Sequence, residues 1–126
     1  MAYEVEVERA FRARQGLPSP VRQRRGLSPL EPGADVEVVL RAAVAFDDAQ
    51  LTERGWFFDT DELAERLDGW AQVLGTGVWT AQFAFRPTFE LVARHLFGEL
   101  AAEVPQLAWV ELQDRTFGSR TRYRVR

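Results

Sequence analysis

Residues 55–74 read GWFFDTDELAERLDGWAQVL, and residues 86–114 read RPTFELVARHLFGELAAEVPQLAWVELQD. Together they predict two helices followed by a strand. Asp59 and Glu62 have the spacing of a capping box, a side-chain acceptor followed three residues later by a carboxylate. Leu63, Leu67, Trp70 and Leu74 then recur at helical spacing and predict a helix over roughly 60–74. Pro87 or Thr88 opens the second helix, because proline suits a first helical turn. Its apolar face is Phe89, Val92, Ala93, Leu96, Phe97 and Leu100, and Pro105 bars continuation beyond about residue 103. Leu107–Gln113 is the strand that follows.

Working outward, residues 3–13 alternate. Tyr3, Val5, Val7, Arg9 and Phe11 share one face, and Glu4, Glu6, Glu8, Ala10 and Arg12 the other, which predicts a half-buried strand with an acidic outer row. Val36–Phe46 is a second strand. Residues 120–126 form the last, with Arg120, Arg122, Arg124 and Arg126 opposite Thr121, Tyr123 and Val125; Thr116–Ser119 turns the chain into it. The order is ββααββ. Four strands, most with one apolar face, and two amphipathic helices predict an α+β layer pair, an antiparallel sheet with both helices on the face of Tyr3, Val5, Val7, Tyr123 and Val125. The rows of glutamates and arginines fall on the first and last strands, where they can pair across a sheet within or between subunits.

The 126 residues fit one domain spanning 1–126. An apolar content of 46% suffices for a core. No apolar run approaches the ~20 residues that cross a bilayer, and the N-terminus enters a strand directly, so a cytoplasmic protein without membrane association is expected. Cysteine is absent, which removes disulfides, thiolate ligands and thiol nucleophiles. All 16 basic residues are arginine, which also removes a Schiff-base lysine. The net charge of −3 argues against bulk nucleic-acid binding.

Gly55-Trp56-x-x-Asp59 before one helix, Pro87-Thr88-x-Glu90 opening the next, and Asp114 closing the following strand resemble the 6-pyruvoyl- and 6-carboxy-tetrahydropterin synthase family, over about residues 3–126. The resemblance implies the tunnelling fold, in which ββααββ sheets join into a barrel with helices outside. It therefore implies a homo-oligomer, a hexamer of two stacked trimers or a trimer. It also implies a zinc held by three histidines. That part of the pattern is missing. His95 is the sole histidine and lies in the second predicted helix. Gln15 stands where the first ligand is expected, and Leu30-Glu31-Pro32-Gly33-Ala34 where a His-x-His is expected. The family's cysteine base has no counterpart. The expectation is a chain with no metal, no cofactor and no ordinary pterin synthase activity.

What survives of the pattern suggests a repurposed site. In the family a carboxylate at the position of Asp114 grips the pterin ring; read locally, Asp114 is equally a turn initiator. Thr88 and Glu90 lie near the family's pocket, and read locally they are a helix cap and a first-turn acid. Residues 14–34 lose all periodicity and are rich in arginine, proline and glycine. They read either as a solvated loop, as an arginine-lined mouth for an anionic ligand, or as a contact to a neighbouring subunit. Arg14, Arg24 and Arg25 are its candidate ligand-binding residues. Trp79, Phe83 and Phe85 make the connector aromatic, for packing or as a wall on which a flat ligand stacks; Trp79 and Phe85 are the candidates for stacking. His95 reads as a partly buried packing residue or, alternatively, a proton carrier. The leading expectation is a metal-independent protein binding a flat, polar or acidic small molecule between subunits, with Asp114 and Glu90 doing carboxylate acid–base work in a lyase, aldolase or cyclase. The alternatives are a non-catalytic scaffold and a partner subunit of a catalytic paralogue.

Overall fold

A computed structural model describes residues 2–17, 24–27, 34–52, 55 and 58–125. Strands β1 (Ala2–Ala13) and β2 (Val36–Asp47) form an antiparallel pair in unbroken register from Ala2 opposite Asp47 to Ala13 opposite Val36. β3 (Leu107–Asp114) lies on the other side of β2, and β4 (Ser119–Arg124) on the outer side of β3. The order β1-β2-β3-β4 leaves β1 and β4 as the two edges of an open four-stranded antiparallel sheet. The β2–β3 register shifts between Ala43 and Val44. There the Ala45 N–H turns to the Gln106 carbonyl, 3.0 Å away.

Among the described residues a 3-10 turn (Asp48–Gln50) and three α-helical segments separate the strand pairs: α1 (Thr60–Gly75), a single turn α2 (Trp79–Gln82) and α3 (Phe89–Ala101). The expected helices start and end within a residue or two of their predicted positions. Asp59 caps α1 by accepting from the Asp61 N–H at 3.0 Å. The other half of the expected box is diverted, because the Glu62 carboxylate pairs with Arg66 one turn on. Thr88 caps α3 by accepting from the Leu91 N–H at 3.2 Å. The turn α2 falls inside the stretch read as a connector; four residues carry no helical period.

α1 packs on β1 and β2, and α3 packs on β3 and β4. Their apolar stripes meet alternate residues of the strands. Leu63, Leu67 and Leu74 of α1, and Val92, Leu96 and Leu100 of α3, close over Val38, Leu40, Ala42 and Val44 of β2 and Val110 and Leu112 of β3. Each such side chain contributes ~1.5–3 kcal/mol by leaving water. Val5, Val7, Phe11 and Tyr123 join from the edge strands as expected. Val125, expected to join them, lies beyond β4 and is 65% exposed. The intervening strand residues face away from the helices. Val39, Ala43 and Trp109 are buried there without belonging to the main core, so the second face is shielded by its own long polar side chains.

Candidate functional site

The segment after β1 is pinned to the connector between the helices. Arg14 forms an isolated parallel bridge with Val78, and its carbonyl accepts from the Trp79 N–H at 2.8 Å. The Gln15 amide donates to the Pro87 carbonyl at 2.8 Å. Gly16 has φ of +80°, and a Cβ there would lie 2.5 Å from Val78 Cγ1 and 2.6 Å from Thr80 Oγ1, so only glycine lets the two segments approach this closely.

Beside this junction a cavity of about 540 Å³ is lined by Arg12, Ala13, Arg14, Ala34, Asp35 and Gly75. Arg12 Nη2 contacts Asp35 Oδ1 at 2.8 Å. The hydrogen bond from Arg12 is the main cause holding the Asp35 carboxyl below its ordinary range, and the Arg14 charge adds to the effect. The same hydrogen bond raises Arg12. Within the lining two guanidiniums face one carboxylate; Glu37, which also acts on Arg12, lies outside the lining and pairs with Arg115. Arg14 is exposed, and its guanidinium suits an anionic oxygen pair.

The other candidate residues are placed differently. The Asp114 carboxylate accepts from the Phe117 N–H at 3.0 Å, and its carbonyl accepts from the Gly118 N–H at 2.8 Å, so it builds the β3–β4 turn. Thr88 spends its hydroxyl on the α3 cap, and Glu90 is exposed in the first turn of α3. Trp79 is fully buried; its indole donates to the Leu74 carbonyl at 2.8 Å and its ring packs on Phe89 at 5.5 Å. It is a core residue with no face left for a ligand. Phe85 stacks on Phe83 at 4.9 Å and leans on His95 at 5.5 Å. Arg24 and Arg25 are exposed and do not line the Arg12–Arg14 cavity. Trp56 and residues 30–33, which carried part of the sequence reading, lie outside the described residues.

No family model and no curated protein matches the chain. The residues present do not fit a zinc of the kind the resemblance implies. The lone imidazole, His95, is packed edge-on against Trp70 and Phe83, and among the described residues no group of three His, Cys, Asp or Glu is placed to hold a metal ion.

The helix-free face of the sheet carries the strongest electrostatic feature, of which the sequence reading found only the ends. Glu8, Arg41, Glu111 and Arg122 stand opposite one another across all four strands. Arg41 reaches Glu8 at 2.8 Å, Glu111 at 3.0 Å and the Gln113 amide oxygen at 2.7 Å. Arg122 reaches Glu111 at 3.0 Å and lies 3.7 Å over the Trp109 ring. Glu111 is buried, with its side chain 3% exposed. Trp109 in turn donates to the Glu4 carboxylate. The signal for the centre of this row was a single charge within each of two apolar runs, Arg41 in VVLRAAVAF and Glu111 in LAWVELQ.

Proposed function

We propose that the chain is a metal-independent, tunnelling-fold protein that binds a flat, polar or acidic small molecule. Copies join edge to edge through β1 and β4 into a ring of three, or two such rings stacked, with the helices outside. The observation that carries this reading is the charge of the two sheet edges. On one and the same face, β1 presents Glu4, Glu6 and Glu8, and β4 presents Arg120, Arg122 and Arg124. Unpaired edges of this length invite pairing, and opposite charge selects β4 of one copy for β1 of the next. The ligand's anionic group sits on Arg14 and Arg12 in the cavity at the end of β1.

Light scattering at tens of micromolar protein should give a mass that is a multiple of three chains. Glu6→Arg and Arg124→Glu should each dissociate the assembly, and the two together should restore it. A wild-type monomer under these conditions would refute the ring. For the ligand, thermal shift with pterins, purines and aromatic acids should give stabilisation by at least one anionic compound, about 2.7 kcal/mol at a hundredfold excess over Kd, and Arg14→Ala should abolish it.

A specific observation favours the non-catalytic form of this reading over a lyase, aldolase or cyclase. Asp114 Oδ1 is held in the β3–β4 turn, the Thr88 hydroxyl is held in a cap, and Glu90 is exposed; none of the three lines the Arg12–Arg14 cavity. A general base must reach the proton it removes. Binding without turnover is therefore the expected outcome of incubating the protein with any stabilising compound.

A further inference from the structure

The outer surface of the helix layer holds a second cavity, unrelated to the sheet edges and to Arg12 and Arg14. It has a volume of about 540 Å³ and is lined chiefly by Trp70 and Val73 of α1, Gln82, Phe83 and Phe85 of the connector, and His95 of α3. Three separate elements thus deliver four rings to one place. Phe83 and Phe85 are stacked with centroids 4.9 Å apart, and His95 meets Phe83, Phe85 and Trp70 at 5.4, 5.5 and 6.0 Å.

Three features separate this cluster from a finished core. Trp70, Phe83, Phe85 and His95 are only half-buried, and Val73 at the lip is 48% exposed. The floor is held in place by polar groups below it: the Gln82 amide nitrogen donates to the Val73 carbonyl at 2.8 Å and to the Thr76 carbonyl, tying the connector to the end of α1. And the clefts on either side, lined by Gly69 and by Gly98, hold open space where a Cβ would stand, although glycine in a helix interior costs about 1 kcal/mol relative to alanine.

The lining also specifies the class of occupant. Apart from the imidazole of His95, no ionisable side chain lines this cavity, in contrast to the arginine-lined cavity at the end of β1. Glu99, 4.0 Å from His95 Nε2, lies outside this lining, so an ion brought here would lose water against rings, with only the imidazole as a polar partner. Ring edges and faces reward another ring, in offset-stacked or edge-on geometry. The volume lies within the range of small-molecule sites, which combine an apolar wall with few polar groups. We propose that this cavity is a binding site for an uncharged, flat aromatic molecule, stacked on Phe83 and Phe85 with one polar atom directed at the His95 imidazole.

The test uses indole as probe, with benzoate and benzylamine as charged counterparts, followed by protein-observed NMR titration on the full chain. Indole should bind saturably, and the resonances that move should include the indole N–H of Trp70 and the backbone of residues 82–85. Benzoate and benzylamine should bind at least tenfold more weakly. Val73→Arg and Ala84→Leu, both at exposed positions on the cavity wall, should each weaken indole at least tenfold, while Val125→Arg, remote and 65% exposed, should leave it unchanged. The proposal is overturned if indole does not saturate, if either charged analogue binds as well, or if both wall variants bind indole like the wild type. Neither wall variant touches the sheet edges, Arg12 or Arg14, so failure here is distinguishable from failure of the ring or of the anion site.

Discussion

Glu111→Ala is the substitution that best tests whether the charged row holds the sheet together or merely decorates it. The carboxylate is almost wholly buried and accepts from Arg41 at 3.0 Å and from Arg122 at 3.0 and 3.3 Å. The two partners lose different amounts. Arg122 is 35% exposed, so it recovers hydration, and its share is about 0–1 kcal/mol. Arg41 is 14% exposed and loses a charge-assisted bond of about 1.5–3 kcal/mol. It is not orphaned, because Glu8 and Gln113 remain at 2.8 and 2.7 Å. The full penalty of ~3–5 kcal/mol for stripping a buried charge of its partner therefore does not apply.

The net expectation is a loss of about 2–3 kcal/mol. With urea m-values of ~1–3 kcal/mol per molar, that lowers the unfolding midpoint by about 1–2 M. Glu111→Gln, which keeps one acceptor oxygen, should lose about half as much. Raising the salt from 0.1 to 1 M should barely change the Glu111 effect, since buried pairs are poorly screened. It should erase whatever the exposed Arg115–Glu37 pair contributes. A midpoint shift worth less than ~0.5 kcal/mol for Glu111→Ala, or one that vanishes in salt, would refute the reasoning.

Three further outcomes follow from local geometry. Thr88→Ala should destabilise by about 1 kcal/mol through the lost cap on α3 and leave ligand-induced thermal shifts unaltered; a lost shift at intact fold would make Thr88 a ligand contact instead. Gly16→Ala should cost about 2 kcal/mol or more, because it adds the contacts with Val78 and Thr80 to the left-handed backbone. Gly26→Ala, at φ of +72° in open space, should cost only the conformational ~1 kcal/mol; equal losses in urea melts would show that the Val78 contact yields freely. For Asp35 the sign follows from its lowered pKa. The unfolded carboxyl takes up a proton more readily than the folded one, so the pair with Arg12 stabilises fully above the ordinary carboxyl range of the unfolded chain and fades as pH falls through the lowered folded value. The difference in urea midpoint between wild type and Asp35→Asn should therefore be present at pH 6 and shrink below pH 4.

The fold was legible wherever a residue's neighbours in sequence decide its face. β1 and β4 alternate with period two, and the stripes Leu63–Leu67–Leu74 and Val92–Leu96–Leu100 recur with the helical period. What stayed hidden depends on partners distant in sequence. Arg41 and Glu111 form a pair only because β2 and β3 lie side by side with those residues in register. Glu62 has the spacing of a capping residue, yet its carboxylate goes to Arg66, itself tied to Glu103 of the segment after α3. A stripe states which way a side chain points; it does not say which of two competing partners takes it.

The candidate site was legible to a lesser degree, and for a reason that lies in the motifs themselves. A threonine before a helix, an aspartate at a strand end and a tryptophan after a glycine turn each have a local use that the fold enforces. Thr88 caps α3, Asp114 closes the β3–β4 turn, and Trp79 fills the core under the end of α1. Such residues persist whether or not any ligand binds, because removing them costs stability directly. Histidine and cysteine ligands have no such second use, and this chain is without them beyond His95. The two kinds of residue therefore carry different information: residues with a structural use attest to architecture, and chemistry must be read from side chains the fold does not need. In this chain those are Arg14, exposed on the cavity at the end of β1, and the half-buried rings around His95. Beside Arg14 the Asp35 carboxylate is spent on Arg12, and beside His95 the Glu99 carboxylate stands 4.0 Å from Nε2, so on the proposed reading these side chains supply recognition, and any acid–base work would have to come from the His95–Glu99 pair.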